Sequence, residues 1–264
     1  AANYTVTPLE MTMDMHMAGL MWAPSDQWTL MAMVNYLDIS MDHRIFPMAA
    51  PLINLNGGSE TFTTSSEGLG DTKVSALYTF HSQAGQQLHM GLGLSLPTGS
   101  IDEQDLIPGP GGRIPRIMPA PMQLGSGTYD LEPSLTYNLQ YSAWSFGLQG
   151  RGVFRLEDEN DQGYRRGLRF VLQSWAQRKL NTYWSVGAGL SYSWEGALEG
   201  AQDGVATNPP FAPSRRTVTT AFSENFGGEQ AEALLGINFL VPEGPWAGHR
   251  LALDWRLPLH RDLK

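Results

Sequence analysis

Five times along the chain, two segments of alternating apolar and polar residues are joined by a very short turn, while the stretches between these pairs are long and rich in Gly, Pro and Ser. That asymmetry belongs to a transmembrane β-barrel, whose hairpins turn tightly on one side of a membrane and meander on the other. In segment 88–96, Leu88, Met90, Leu92, Leu94 and Leu96 alternate with His89, Gly91, Gly93 and Ser95. Side chains alternate faces along a strand, so one face is greasy throughout and the other small or polar. Segment 184–194 repeats the pattern with Trp184 and Trp194 at the two ends of its apolar face, as suits a strand whose ends lie in two membrane interfaces. A tilted strand needs about nine to eleven residues to cross a bilayer, longer than the five or six of most soluble strands.

The 264 residues are read as one domain, 1–264, because all-β barrels exceed 200 residues without dividing. No stretch approaches the roughly 18 unbroken apolar residues of a membrane helix; the best run, 233–241, still contains Gly236 and Asn238. Any membrane crossing is therefore made with strands. Many of the 29 glycines fall inside these strands, where they weaken a sheet but leave lumen space. Cysteine is absent, which removes disulfides and thiol chemistry and fits the bacterial envelope among other compartments. A formal charge of −9 argues against nucleic acid as a partner. No signal sequence opens the chain.

The expected hairpins are 11–22 with 27–39, 71–80 with 86–96, 128–139 with 144–156, 167–179 with 183–195, and 230–241 with 250–259, ten strands in all. Between 97 and 127 lie Pro108, Pro110, Gly111, Gly112, Pro115, Pro119 and Pro121, too many breakers for a regular element. With short turns on the periplasmic side, the first strand descends and the last ascends, leaving both ends of the chain at the outer rim. Barrels of this kind keep both termini in the periplasm. The expectation is one further strand before Ala1 and one after Lys264, for a barrel of about twelve.

If the apolar faces meet lipid, the inward set is Asp14, His16, Asn35, Asp71, Lys73, His89, Asp130, Glu132, Gln149, Arg151, Arg155, Arg169, Gln173, Glu195, Glu232, Arg250, Asp254 and Arg256. Two roles fit such a lumen wall: cross-linking and solvation of the interior, or a selective path or gate built from some of its members. Met11, Met13, Met15 and Met17 share one strand face, with Asp14 and His16 on the other, which disfavours a copper site and leaves the methionines as apolar filler. In the reversed register they would join Met31 and Met33 in a flexible inner surface suited to varied apolar ligands. No metal, cofactor or catalytic residue is expected: there is no Gly-x-Ser-x-Gly elbow and no HExxH-like spacing. A Ser/His pair such as Ser95 and His89 is the nearest approach to an enzyme acting on lipids. Pro133 interrupts an otherwise full strand, and in a closed wall it must either bulge or part from a neighbour. The second alternative makes a seam through which an apolar molecule could slip sideways.

Segments 67–78, 91–102 and 122–130, together with Pro8-Leu9-Glu10-Met11-Thr12-Met13-Asp14-Met15-His16-Met17 and Ser40-Met41-Asp42-His43, resemble the family of outer-membrane channels linked to meta-cleavage pathways of phenol degradation. The resemblance covers most of the chain, the first half most strongly. It implies a barrel of about twelve strands in the outer membrane of a Gram-negative bacterium, with extra strands at both ends, and uptake of small hydrophobic, often aromatic, molecules. It further implies that residues 1–10 are the remnant of a segment that enters and narrows the lumen. Small hydrophobic molecules and outer-membrane lipid are the expected partners of a cofactor-free monomer. A general diffusion pore for small hydrophilic solutes is the alternative.

Overall fold

The computed structural model describes residues 4–109, 112–209 and 214–263. Its strands are β1 (Tyr4–Trp22), β2 (Trp28–Ile45), β3 (Thr61–Leu69), β4 (Thr72–Gln83), β5 (Gln86–Leu96), β6 (Gln104–Gly109), β7 (Gly112–Ile117), β8 (Asp130–Tyr141), β9 (Trp144–Arg155), β10 (Tyr164–Arg165), β11 (Arg169–Lys179), β12 (Trp184–Glu195), β13 (Glu199–Gly200), β14 (Arg216–Val218), β15 (Gly228–Leu240) and β16 (Arg250–Leu263). One short helix, α1 (Ala50–Leu55), precedes β3.

Ten strands form the wall in the order β1-β2-β4-β5-β8-β9-β11-β12-β15-β16, each antiparallel to the next, which is the up-and-down barrel architecture expected from the five hairpins. Two more strands complete a twelve-stranded sheet from the long-loop end: β3 continues the pairing along β2, and β14 runs parallel to the start of β1. Among the described residues no ladder joins β16 to β1. The sheet nonetheless curls, since one cavity touches Met13 on β1, Asp130 on β8 and Glu195 on β12.

Local chemistry explains the tight turns. Between β4 and β5 the whole connection is Ala84-Gly85, with φ of 51° and 79°, and two consecutive positive values are what a two-residue turn matched to strand twist requires. Rings gather near this end: Trp28 meets Tyr78 at 4.8 Å, Trp144 stacks on Phe146 at 5.8 Å, and Trp184 meets Phe239 at 4.8 Å. A second group, Phe154, Phe170 and Trp194, lies higher on the same outward face. Ten residue steps separate Trp184 from Trp194. At about 3.4 Å each and a tilt near 40° they span about 26 Å, the height of the apolar band of a membrane barrel.

Residues 4–10 continue β1, paired with β2 from Val6 opposite Ile45 and bulging between Pro8 and Glu10. Of segment 1–10, expected to enter the lumen, Tyr4 to Glu10 thus stand in the wall, and Ala1 to Asn3 lie outside the described residues, as do Pro110, Gly111 and Pro210. The proline-rich stretch, expected to be irregular, contains the ribbon β6–β7, with Leu106 opposite Pro115 and Pro108 opposite Arg113. Two strands alone have a free edge each, and there a proline's missing N–H costs nothing. After this ribbon the chain turns inward at Ala120–Met122 and packs Met118, Met122 and Leu124 onto Leu37, Ile39 and Met41 of β2.

Candidate functional site

The inner face follows from β2. Leu37, Ile39, Met41, His43 and Ile45 are buried there, while the alternate residues Tyr36, Asp38 and Asp42 remain open. Residues directly opposite in a ladder share a face, so the pairs Met11–Met41, Met13–Ile39 and Met15–Leu37 turn the β1 methionines inward. Asp14, opposite Asp38, and His16, opposite Tyr36, accordingly face outward, which corrects their assignment to the lumen. The physical reason is packing: the inward turn brings Met118, Met122 and Leu124 onto Leu37, Ile39 and Met41, so the apolar face of β1 and β2 is buried inside and the polar face is left outside.

The other sixteen residues of the expected inward set share the inner face by register. Asp71 accepts hydrogen bonds from the Gly99 N–H at 3.0 Å and from the Ser126 N–H and Oγ at 2.8 Å each, tying two loop segments to the rim. Lys73 Nζ reaches Glu132 Oε1 at 2.5 Å. Asp130 pairs with Arg155 and accepts the Thr128 hydroxyl at 2.7 Å, both carboxylate and guanidinium being almost fully buried. Arg169 lies 3.9 Å from Glu195, and Glu232 lies 3.7 Å from Arg256. Arg250 donates to Asn238 Oδ1, and Asp254 stands opposite Gly236. His89 is opposite Thr79 and Thr136, and Arg151 is opposite Ser134. These charges meet partners across neighbouring strands rather than converging on one point.

Two chambers lie in series. The lumen chamber, about 540 Å³, has Met11, Met13, Met15 and Leu124 on one side and the Lys73–Glu132, Asp130–Arg155 and Arg169–Glu195 pairs on the other. The outer chamber, about 400 Å³, is bounded by the tops of β1 to β3, α1, the β6–β7 ribbon and segment 204–209. Its lining is mainly aliphatic, with Val6, Leu52, Leu55, Ile107, Ile114 and Val218. Met118 lines the outer chamber and Leu124 the lumen; between them Leu37, Ile39, Met41 and Met122 close the way. The closure is therefore made of apolar side chains, half of them methionines, whose unbranched stems repack easily.

The inward turn is firmly held. Gln123 is fully buried and donates to the carbonyls of Met118 at 2.6 Å and Glu103 at 3.3 Å, while its Oε1 accepts the Glu103 N–H at 2.9 Å. Ser66 Oγ donates to the Met122 carbonyl at 2.6 Å. Arg166 Nη2 reaches the carbonyls of Ala120, Gln123 and Gly125 at 3.5, 3.4 and 3.1 Å. None of these residues stood out in the sequence, because each acts through a loop whose path only the fold reveals.

Pro133 keeps its full pairing with β5, opposite Leu92. On its other side the β8–β9 ladder pairs Leu131 with Phe154 and Ser134 with Arg151 but omits Glu132 and Pro133 between them, and the register is the same above and below. The unchanged register rules out a bulge, and the interruption is a local loss of ladder pairing at a residue that has no N–H to donate.

Residues 2–216 match the family described as "Putative MetA-pathway of phenol degradation". Among solved structures the chain is similar to an outer membrane channel from Pseudomonas putida F1, with 16% identity and a TM-score of 0.57 over 96% of this chain and 79% of that one. At that identity the likeness is one of fold. No curated protein matches the chain.

Proposed function

The chain belongs to this phenol-degradation family, and on that premise we propose that it is an outer-membrane channel for passive uptake of small hydrophobic, chiefly aromatic, molecules. The observation that carries the reading is the apolar passage: a greasy outer chamber separated from the lumen by the methionine-rich closure over Leu37, Ile39 and Met41. An apolar solute gains by leaving water for that lining, and methionine repacking lets it through, whereas a hydrated ion meets a dry barrier. No chemistry is required of such a path, and we assign no enzymatic activity, cofactor or metal. Exit is assigned to the seam beside Pro133, whose outward neighbours Leu92, Leu131 and Leu135 offer an apolar route towards lipid. The fold kinship with a bacterial outer membrane channel supports the location, and one copy of the chain suffices for the path.

A general pore for hydrophilic solutes draws on the charged pairs of the lumen chamber. The two readings separate in one experiment: accumulation of a radiolabelled aromatic hydrocarbon by cells with and without the protein, alongside single-channel conductance. Enhanced accumulation with poor ionic conductance is the expected result. Large steady currents without an effect on hydrocarbon accumulation would establish the diffusion pore instead.

A further inference from the structure

Two buried polar atoms on the outer chamber, His43 Nδ1 and Thr64 Oγ1, lack a hydrogen-bond partner of good geometry among the described residues. The residues are 5% and 2% exposed, and both line the chamber. Buried polar groups are nearly always paired, and an orphan pair inside a cavity asks for a ligand that pairs it. In the β2–β3 ladder His43 stands opposite Phe62 and Thr64 opposite Met41, so the two are diagonal neighbours on one face, about 7–8 Å apart along the backbone. The His43 ring is stacked on Phe62 with centroids 4.8 Å apart and planes 7° apart, which fixes the direction of Nδ1.

The ligand's chemistry follows from the lining. A dry cavity of about 150 Å³ already accepts benzene, so about 400 Å³ takes a substituted single ring with room to turn. Aliphatic walls disfavour an ion, and the charged side chain on the chamber, Arg116, is itself exposed. A hydroxyl is the small group that both donates and accepts, matching an imidazole nitrogen and a threonine hydroxyl at once. Burial favours the neutral imidazole, although the backbone at Met41, the Asp42 carboxylate and the backbone at Phe62 partly oppose this. We propose that the outer chamber is a selectivity site for uncharged single-ring compounds bearing one hydroxyl, which donates to His43 Nδ1 and accepts from Thr64 Oγ1. This deepens the channel reading and rests on it for the chamber's place on the route, not for the binding.

Equilibrium dialysis of radiolabelled p-cresol and toluene against the full chain in detergent tests it. The wild type binds p-cresol about tenfold more tightly than toluene, as one to two net hydrogen bonds allow. Thr64→Val, which keeps the side-chain shape, lowers p-cresol affinity several-fold and leaves toluene unchanged; His43→Phe, which keeps an aromatic ring over Phe62, does the same. Toluene binding thus reports an intact chamber in each variant. Equal wild-type affinity for the two compounds, or a variant that loses both alike, overturns the proposal. So does benzoate that binds more tightly than p-cresol and is lost in Arg116→Gln. Hydrocarbon accumulation in cells without a p-cresol preference in vitro removes this site and leaves the channel. A preference in vitro without any effect on accumulation removes the channel and leaves the site.

Discussion

Trp175 lies with its indole across Gly147, the residue directly opposite it on the neighbouring strand, in the space a β-carbon on Gly147 would occupy. On its other side it faces Gly189 of β12, where an added β-carbon would run into the Ser174 carbonyl oxygen at 2.6 Å. Three strands thus present a small, a large and a small residue in one row. The indole lies flat against the wall beside a lower chamber of about 220 Å³ shared with Gln177, Leu234, Asp254 and Arg256.

Replacing Gly147 by Ala or Leu must lift that ring into the lumen. The expected cost is the ~1–3 kcal/mol of an overpacked interior, read as a lower urea midpoint of unfolding. Trp175→Ala in the same chain should recover most of it, because the clash is then gone, and the coupling between the two sites is the measurable quantity. Trp175→Ala alone should raise single-channel conductance.

Two of the lumen ion pairs should behave differently from one another. Asp130 and Arg155 are 4% and 8% exposed at their side chains, so Arg155→Met leaves a buried carboxylate without its partner and is expected to cost about 3–5 kcal/mol. Lys73 is 41% exposed and partly screened by water, so Lys73→Met is expected to cost about 0–1 kcal/mol, within the range of open pairs. Urea titration of both variants checks the ranking, and equal losses would refute it.

Much of this architecture was legible because alternation and turn length are local. The five hairpins, the tight Ala84-Gly85 turn and the division of β12 into two faces need nothing beyond neighbours in sequence. Which face is inside is not local: Asp14 and His16 obey the same alternation as Lys73 and Glu132, but on β1 and β2 the apolar face is covered from within by segment 118–124. The β6–β7 ribbon was hidden by its prolines, which a two-stranded sheet tolerates at its free edges. His43 and Thr64 belong to one site through a ladder between β2 and β3, and Trp175 finds its place through Gly147 and Gly189, so each depended on pairings across the chain.

Arg166 is the clamp of the inward turn. A charged donor shared among three carbonyls contributes about 1.5–3 kcal/mol, and Arg166→Met removes it while keeping most of the stem. Segment 118–124 should then move more freely over Leu37 and Met41. The expected readouts are larger and noisier ionic currents and faster hydrogen exchange at 120–125. Unchanged currents would mean that Ser66 and Gln123 hold the turn without help.

Acidification should loosen the outer chamber through His43, which stands on β2 seven residues beyond Tyr36 and above the apolar band. Burial pushes its imidazole below the ordinary 6.5, with the backbone at Met41, the Asp42 carboxylate and the backbone at Phe62 partly opposing. A folded-state value below the unfolded one means that the unfolded form takes up the proton first. The contribution to stability is therefore complete above pH 6.5 and declines as the pH falls through that value towards the lower folded-state one. Protection factors for amide exchange in 41–45 and 61–64, which take out the intrinsic pH dependence of the exchange rate, should fall between pH 7 and pH 5, and His43→Phe should flatten the dependence. A slope of opposite sign would refute the assignment.

The seam at Pro133 makes the last prediction, because a parted ladder without a bulge can be closed by a single change. Pro133→Val restores the N–H that β9 lacks and supplies a residue suited to a strand, so the ladder can run unbroken from Asp130 to Tyr141. If apolar molecules leave through the wall at this point, the variant should take up aromatic hydrocarbon several-fold more slowly with unchanged p-cresol binding in the outer chamber. The chain has no native cysteine, so a disulfide between cysteines introduced at 133 and 152 can lock the same place reversibly. Uptake that falls on oxidation and returns on reduction places the exit there. Uptake indifferent to both the valine and the disulfide would send the route straight down the lumen, past Trp175, and leave the parted ladder as a tolerated flaw in the wall.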